Sequence, residues 1–462
     1  MSTFARPYVV SWNLTYRCNL ACEHCYLDAG PKPLVGTENF ADRSELGTEE
    51  CFKVIEELAA FAPECVTILT GGEPLLRRDI LEIVRRAAAR GLWVVVGTNG
   101  VRITENVSQR LAEAGARGLS LSLDALDPDR HDRFRNVRGA WQNTVEGADI
   151  LNRTGLPFIV QTTAGAHNLD ELDAIADFAH DRLRAKVWNL YFLVPTGRGQ
   201  FVSDITPAQY DEVLASLYRI QGKFTGRMLV NAKCAPHYIK TVLERGLRPG
   251  PEATTGDHPI RTYSGGAGGC PAGTHYMGIR PNGDVTPCPY LPVFAGSLRS
   301  ATLADLWTSS PLFTGIRQRT SLGGRCGECE MNGHCGGCRA RAYGMTGDVM
   351  AEDPLCTHTP GKFSPALLRS FGLASAVRSA EAGAADSAQT PGVRAIEYGP
   401  ESSQTIAWDE AAGERMKKIP AFVRGMVVRA VEESCRKNGL DRVTVEELER
   451  IRARMPTPKM FG

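Results

Sequence analysis

Three cysteines lie close together near the start of the sequence, in the segment RCNLACEHCY (residues 17–26). Cys18, Cys22 and Cys25 are separated by three and then by two residues. A disulfide pairs cysteines two at a time, and a structural zinc site takes four protein ligands. Three thiolates on one loop therefore predict a metal with one open coordination position, where a cofactor or substrate can bind and react.

A second group of cysteines follows between residues 270 and 356, with the spacing C-x12-G-x4-C and then C-x2-C-x5-C-x2-C-x17-C. Two CxxC pairs alone favour a zinc ribbon, but seven cysteines exceed the four ligands of one such site. The group consists of Cys270, Cys288, Cys326, Cys329, Cys335, Cys338 and Cys356.

The overall composition excludes several classes of protein. The chain has 462 residues and a net charge of +1, so no charge excess indicates a nucleic-acid or membrane partner. No apolar run approaches the roughly 18 residues of a membrane span, and the N-terminus lacks a signal-peptide pattern, which predicts a cytoplasmic protein. Because that compartment keeps thiols reduced, the 14 cysteines indicate metal or redox chemistry.

Four cysteines stand apart and are expected to be small buried apolar residues, namely Cys51, Cys65, Cys234 and Cys435.

Short strands are predicted to alternate with helices up to about residue 222. The strands are predicted at 9–15, 66–71, 92–99, 119–124, 158–164 and 187–194. Helices are predicted at 48–61, 75–91 and 169–180, and the expected N-caps are Thr48, Thr104 and Thr206. This alternation implies parallel strands with right-handed crossovers, and six units are fewer than the eight of a closed barrel. We therefore expect an α/β fold with an open, partial (β/α)6 barrel.

Every predicted strand is followed by polar or glycine-rich residues. In parallel α/β folds ligands bind at the carboxyl ends of the strands. Each of these segments alone is more often a turn or a plain strand end, but together they predict one binding rim. In chain order the rim consists of the cysteine loop, GGEPLLR (71–77), Thr98-Asn99-Gly100, Ser122-Leu123-Asp124, Gln161-Thr162 and VPTGRG (194–199).

The cysteine loop, with GGEP at the next strand end, resembles the radical S-adenosylmethionine (SAM) superfamily over about residues 7–205. The resemblance implies that Cys18, Cys22 and Cys25 hold a [4Fe–4S] cluster whose free iron is chelated by the amino and carboxylate groups of SAM. It also implies an enzyme in which an electron, from a donor such as flavodoxin or ferredoxin, cleaves SAM. The resulting 5′-deoxyadenosyl radical then abstracts hydrogen from the substrate.

The same resemblance implies roles for residues along the rim. Backbone groups of Gly71 and Gly72, with Glu73, are expected to hold the SAM amino group, and Ser122 and Asp124 are expected to face its ribose. The other residues expected at the cofactor are Asn99, His24 beside the adenine, and Arg198 at the SAM carboxylate or an anionic substrate.

The second cysteine group resembles the SPASM extension, which binds one or two auxiliary [4Fe–4S] clusters. The interval between Cys335 and Cys338 is two residues, where that family usually has three. The family's interleaved connectivity implies two ligand sets, Cys326, Cys329, Cys335 and Cys356 for one cluster and Cys270, Cys288 and Cys338 for the other.

The second of these sets has three cysteines. Its fourth position is left to substrate, solvent, His275 or Cys234, or the cluster is absent. A hairpin at 276–290, with Asn282-Gly283 as its turn, is expected to be tied to the CGGC segment by the interleaving.

The remaining residues read as a linker and a helical tail. The linker is rich in Ala, Ser and Gly. The tail has helical periodicity, with a capping box at Thr444 and Glu447. It resembles the C-terminal segment of light-independent protochlorophyllide reductase, and this resemblance implies either a link to tetrapyrrole chemistry or a docking role. The predicted division is a radical SAM partial barrel at 1–222, a bridging segment at 223–262, a SPASM domain at 263–370, a linker at 371–404 and a helical domain at 405–462.

Three functions are compatible with these features. The first is a radical SAM enzyme similar to those that modify haem and haem d1 precursors by hydrogen abstraction from a propionate, with loss of a carboxyl or two-carbon unit. The alternatives are a maturase of a ribosomally made peptide and a non-catalytic zinc-binding adaptor. The first function needs cations for the substrate carboxylates, and the candidates are Arg138, Arg198, Arg261 and Arg280.

Overall fold

The computed structural model describes residues 4–31, 44–202, 205–245, 269–370, 406–417 and 421–454. Most of its strands belong to one sheet. In chain order the strands are β1 (Val9–Asn13), β2 (Val66–Thr70), β3 (Trp93–Gly97), β4 (Gly118–Ser122), β5 (Phe158–Ala164), β6 (Val187–Phe192), β7 (Leu229–Lys233), β8 (Tyr276–Ile279), β9 (Asp284–Thr286), β10 (Gly296–Ser297), β11 (Ala407–Trp408) and β12 (Arg442–Val443).

The main sheet contains the six predicted parallel strands in chain order. Its full order is β10-β9-β8-β1-β2-β3-β4-β5-β6-β7. Strand β7 runs parallel to β6 and β8 runs parallel to β1, whereas β9 and β10 are antiparallel additions. In the part of the chain that the structure describes, β7 and β10 do not pair with each other, so the sheet is open. The predicted α/β fold class is confirmed.

Helices connect the parallel strands and cover the sheet. Helix α2 places Ile80, Ile83, Val84 and Ala87 on its buried face, at the spacing of an amphipathic helix. The helices are α1 (Thr48–Phe61), α2 (Ile80–Ala89), α3 (Glu105–Glu113), α4 (Pro128–Arg135), α5 (Ala140–Thr154), α6 (Leu172–Asp177), α7 (Pro207–Phe224), α8 (Tyr238–Glu244), α9 (Leu303–Ser309), α10 (Pro311–Arg317), α11 (Gly324–Glu328), α12 (Arg339–Thr346), α13 (Pro365–Ser370), α14 (Glu410–Lys417), α15 (Ala421–Lys437) and α16 (Val445–Arg454).

Two of the three predicted N-caps are confirmed. The side chains of Thr104 and Thr206 accept backbone N–H groups at the starts of α3 and α7. The prediction for Thr48 is wrong, because the cap of α1 is Gly47, whose N–H is bound by Glu50. The Thr48 hydroxyl instead donates to Asp79 at 2.8 Å, so a residue distant in sequence binds the hydroxyl that was expected to cap the helix.

Two of the predicted domain boundaries do not coincide with the ends of the elements that the structure contains. Helix α7 continues two residues beyond the predicted boundary at 222. The predicted bridging segment contributes β7 to the main sheet. Its residues 246–262 lie outside the described residues, as do residues 263–268 of the predicted SPASM domain and the predicted linker at 371–404. The bridging segment is therefore partly an extension of the barrel.

The tail forms a small unit of its own. Helices α14 to α16 surround buried Ala412, Val431 and Cys435, and a short β11–β12 pair that was not predicted joins them. Thr444 accepts the N–H of Glu447, as predicted, but the Glu447 carboxylate bonds to other side chains. Among the described residues, no helix combines the length and the apolar character needed to cross a membrane.

Candidate cluster and cofactor site

The cysteine loop is held against the GGE segment by backbone hydrogen bonds. The Gly72 N–H donates to Thr15 O at 2.7 Å, and the Glu73 N–H donates to Arg17 O at 2.8 Å. A Cβ atom on Gly72 would lie 2.2 Å from Arg17 O. Glycine is therefore required for the loop to approach the end of β2 this closely.

The three sulfur atoms of this loop all accept hydrogen bonds. The donors are the Leu20 amide to Cys18 at 3.4 Å, the Arg135 guanidinium to Cys22 at 3.7 Å and the Ala29 amide to Cys25 at 3.4 Å. Burial raises the pKa of Cys18 to about 12, so a thiolate there needs a positively charged partner such as iron. Hydrogen-bonded, partly solvent-shielded thiols are the donor set that an iron–sulfur cluster requires, and the loop fits it.

The loop borders a pocket of about 1200 Å³, counting the part open to solvent. Most of the residues predicted to bind SAM line it, whereas Glu73 and Asp124 do not. The predicted residues in its wall are Cys18, Cys22, His24, Cys25, Gly71, Gly72, Asn99, Ser122 and Arg198.

Glu73 lies behind the pocket wall and is fully buried. Its carboxylate accepts the Thr98 hydroxyl at 2.9 Å, the Asn99 N–H at 2.9 Å and the Leu75 N–H at 3.0 Å. Burial raises its pKa to about 7, against these hydrogen bonds, which lower it. The side chain therefore connects the ends of β2 and β3, and in this structure it does not face the space for an amino group.

Asp124 also acts from behind the wall. Its carboxylate accepts the Thr163 N–H at 2.7 Å and forms a buried ion pair with Arg135, which donates to the Cys22 sulfur. Burial is the largest single effect and raises the pKa of Asp124, but Arg135, the nearby histidines and the Thr163 N–H together outweigh it, and the pKa falls to about 2. The ionised Asp124 therefore fixes the guanidinium beside the cysteine loop.

Arg198 connects the rim after β6 to the cysteine loop. Its guanidinium nitrogens donate to Cys22 O at 2.8 Å, to Asp28 at 2.8 Å and to Ala29 O at 2.7 Å. Its side chain lines the pocket, but these three bonds give it a structural role in the loop. Asn99 makes a similar contact from the rim after β3, donating to Asn19 at 2.9 Å.

His24 is part of a stack of three rings beside the pocket. Its ring lies 4.2 Å from that of Phe134, which lies 3.8 Å from that of His167. Burial and the nearby Arg135 lower the pKa of His24 to about 3, so its ring is neutral. Arg135, Phe134 and His167 were not predicted as site residues, because they lie on α4 and in the loop after β5 and belong to no recognised motif.

Four cysteines of the second group line one cavity, and all four sulfur atoms accept backbone N–H groups. They are Cys326, Cys329, Cys335 and Cys356, with the amides of Asp353, Met331, Gly337 and His358 as their respective donors. Arg339 donates a further bond to the Cys326 sulfur at 3.7 Å. This cavity fits a four-thiolate cluster in the same way as the N-terminal loop.

The other three cysteines of the group, Cys270, Cys288 and Cys338, pack together in a separate buried cluster. The Cys270 N–H donates to Cys335 O at 2.9 Å, which ties the start of the region to the CGGC segment as predicted. Strands β8 and β9 form the predicted hairpin, with Gly283 at a φ of 91° in its turn.

The spacing of the cysteines differs from that of a zinc site. Zn–S bonds of about 2.3 Å place four thiolates within about 4 Å of one another. In the described residues, the group of Cys, His, Asp and Glu ligand atoms that lie within 4.8 Å of one another is Cys329, Glu330 and His358. Among the described residues, no three thiols of the predicted sets come that close together.

Four tyrosines form an aromatic wall of the pocket. It consists of Tyr26, Tyr191, Tyr276 and Tyr290, all of which line the pocket. The rings of Tyr26 and Tyr290 are 4.7 Å apart, and those of Tyr191 and Tyr290 are 6.1 Å apart. Tyr276 interacts with Cys288 and Tyr290 interacts with Cys234, and neither cysteine lines the pocket.

The four arginines predicted to bind substrate carboxylates are dispersed. Arg138 is exposed, Arg261 lies outside the described residues, and Arg280 is fully buried 6.0 Å from the centre of the Tyr26 ring. Of the four, Arg198 lines the pocket, together with the unpredicted Arg135. The pocket therefore combines two cations that contact the cysteine loop with a group of aromatic rings.

The geometry defines an enzyme built around a metal loop with an open position. Residues 12–179 match the Radical SAM superfamily, residues 270–338 match an iron-sulfur cluster-binding domain known as SPASM, and residues 408–452 match the proto-chlorophyllide reductase 57 kD subunit. The chain belongs to the radical SAM superfamily and carries the SPASM extension. This confirms the predicted cofactors, [4Fe–4S] clusters and SAM, and sets aside the non-catalytic zinc adaptor.

Named relatives cover most of the chain. It is 36% identical to an AdoMet-dependent heme synthase of Methanosarcina barkeri, over 77% of this chain and 98% of that protein. It is 30% identical to a pre-heme d1 synthase of Dinoroseobacter shibae, over 75% and 85%. The structure of Streptococcus suis SuiB bound to S-adenosylmethionine covers 77% of this chain and 78% of that one, with a TM-score of 0.58 and 17% identity, which shows a shared fold.

Gly72→Ala is expected to displace the cysteine loop, because the new methyl group would overlap Arg17 O. The anaerobically purified variant should lose about four iron atoms per chain, the content of one cluster. Gly222→Ala is the matched control, since no atom lies within 4 Å of its added Cβ and it sits in a helix. Equal iron content in Gly72→Ala and parent protein would contradict the packing argument.

Glu73→Gln is expected to flatten the pH dependence of stability. The folded-state pKa is raised from 4.5 to about 7, so the folded protein binds more protons between these values and the parent loses stability as pH rises through them. The shift corresponds to about 3 kcal/mol in the free energy of unfolding. Anaerobic denaturant titrations from pH 5 to 7.5 measure the free energy of unfolding of both proteins. If this free energy depends on pH equally in the two proteins, folding does not raise the pKa of Glu73.

Proposed function

We propose that this radical SAM enzyme modifies side chains of a tetrapyrrole, with haem or haem d1 precursors as the substrate class. The observation that carries the proposal is the aromatic wall in the same pocket as the cysteine loop. A flat conjugated macrocycle stacks favourably on aromatic rings. The names of the two relatives above, a heme synthase and a pre-heme d1 synthase, support the same substrate class.

The pocket extends over about 1200 Å³, counting the part open to solvent, and its wall differs in character from place to place. Its polar side carries the strand ends and Arg135, and its other side carries the tyrosines. SAM is assigned to the polar side and the macrocycle to the aromatic side, with its carboxylates reaching the cations or solvent.

The ligand assignments form part of the proposal. Cys18, Cys22 and Cys25 hold the SAM-binding cluster, and the carbonyl groups of Gly71 and Gly72 accept the SAM ammonium, since their segment's N–H groups are used by the loop. Ser122 and Asn99 serve the ribose and carboxylate ends from the pocket wall. Three further residues position the pocket wall from behind or beside it, namely Glu73, Asp124 and Arg198. The auxiliary sets are Cys326, Cys329, Cys335 and Cys356 for one cluster and Cys270, Cys288 and Cys338 for the other.

When bound, the cluster and SAM would supply the radical that removes a hydrogen atom from a propionate side chain. That side chain would then lose a carboxyl or two-carbon unit, and an auxiliary cluster would take or pass the electron that balances the step. The chain's own residues hold the reacting groups in register. Arg198 and Arg135 fix the cysteine loop, and the buried tyrosines shield the space beside it from water. The proposed electron donor is a flavodoxin or a ferredoxin. The proposed location is the cytoplasm, in keeping with the 14 free cysteines.

A propionate-bearing iron porphyrin is expected to stimulate cleavage of SAM to 5′-deoxyadenosine by the reduced enzyme, and the porphyrin should lose the mass of a carboxyl or two-carbon unit. Its methyl ester, which has the same ring without free carboxylates, is the control and should not react. Stimulation by a small peptide encoded beside the gene, and by no porphyrin, would favour the peptide maturase alternative; relatives with such names are less similar to this chain than the heme synthases.

Tyr290→Leu is expected to raise the KM for the porphyrin about three- to tenfold, because one stacking ring is worth about 0.5 to 1.5 kcal/mol. The yield of 5′-deoxyadenosine without porphyrin should not change, since SAM lies on the opposite side. Tyr8→Leu is a matched control, because Tyr8 is 60% exposed and lies outside the pocket. An unchanged KM would remove the aromatic wall from the substrate site.

A further inference from the structure

We infer that Cys234 is the fourth thiolate ligand of the auxiliary cluster held by Cys270, Cys288 and Cys338. The inference rests on the ligand sets proposed above. The Cys234 thiol is hydrogen-bonded to that of Cys338, which is hydrogen-bonded to that of Cys270. Cys288 interacts with Cys270 and Cys338, and Cys234 packs against the buried cluster that the three form. Four thiols therefore meet where the SPASM pattern supplies three.

The backbone at Cys234 is built to present its side chain there. Cys234 directly follows β7 and has a φ of 56°, a conformation that few residues other than glycine adopt. Arg341 donates to the Cys234 carbonyl at 2.9 Å and pairs with Asp353 at 3.0 Å. The same Asp353 carboxylate accepts the Cys338 N–H at 2.6 Å. One buried Arg–Asp pair thus holds both cysteines, and unusual backbone conformations of this kind concentrate at functional sites.

His275, the other side chain considered for the fourth position, faces elsewhere. Its ring stacks on Tyr8 at 5.6 Å and meets Phe4 edge-on at 5.7 Å. Its Nδ1 atom lies 3.0 Å from the Thr274 hydroxyl. The N-terminal segment therefore occupies the surroundings of this ring, and the thiol of Cys234 is the ligand that the geometry favours.

A fourth thiolate determines what this cluster can do. With four cysteines the iron atoms have no open position, so the cluster exchanges electrons and does not bind substrate. Cys234 neighbours Tyr191 and Tyr290, which line the pocket, and these rings lie between it and the substrate space. The open iron at Cys18, Cys22 and Cys25 is then the single position for a ligand among the three clusters.

The test uses the full chain with Cys18, Cys22 and Cys25 replaced by alanine, so that only auxiliary clusters remain. This parent should contain about eight iron atoms per chain, and its electron paramagnetic resonance spectrum after reduction should not respond to cyanide, which binds open iron positions. Adding Cys234→Ala or Cys234→Ser should either remove about four iron atoms or leave the iron and make the spectrum sensitive to cyanide. Cys65→Ala, which removes another buried cysteine, should match the parent.

Three results would overturn the inference. They are a cyanide-sensitive parent, a parent with about four iron atoms, and Cys234 variants with the iron content and cyanide response of the parent. The parent measurement needs no change at residue 234, so the inference can fail even if those variants do not fold. A parent without iron would refute the proposed auxiliary ligand sets as well, whereas a cyanide-sensitive parent with about eight iron atoms would refute only the role of Cys234.

Discussion

The close backbone contact between the cysteine loop and the GGE segment is the constraint on which the site depends. Two hydrogen bonds, from Gly72 to Thr15 and from Glu73 to Arg17, extend the pairing of β1 and β2 beyond the end of both strands. The loop also buries Leu20, Leu27 and Ala29, and the directional bonds add a fixed position relative to the strands. They place the sulfur atoms at the carboxyl edge of the sheet, where the other strand ends supply polar groups.

Buried arginine–aspartate pairs accompany the cysteines at both ends of the site. Arg135 reaches the Cys22 sulfur and is held by Asp124, and Arg341 reaches the Cys234 carbonyl and is held by Asp353. An unpaired guanidinium would be costly at such depth, and the carboxylate offsets that cost while fixing its direction. Hydrogen bonds to sulfur are one of the factors that set the potential of an iron–sulfur cluster, and Arg135 donates such a bond to Cys22.

The sequence predicted the strands, the rim and the cysteine groups because each depends on local patterns. Period, spacing and strand-end composition are sufficient to locate Gly72, Ser122 and the CxxxCxxC loop. The partners behind the rim were not predictable in this way. Arg135 lies on a helix without a motif. For Cys234 the sequence leaves two possibilities, a plain buried residue and one of several candidates for the fourth position, because both residues reach the site only through tertiary packing. Thr48 shows the same limit, since Asp79, distant in sequence, takes the hydroxyl that was expected to cap α1.

The distance between the two cysteine regions is set by the sheet itself. Strand β8 pairs with β1 along Val9 to Trp12. The hairpin that ends near Cys288 therefore lies beside the strand that leads to the cysteine loop. A hydrogen-bonded sheet allows much less sliding than a side-chain interface between domains. Tyr26 from the first region and Tyr290 from the second can therefore form one wall at a fixed separation. Since the same hairpin carries a substrate-facing ring and a cluster ligand, a change of substrate in this fold is coupled to the surroundings of the auxiliary cluster.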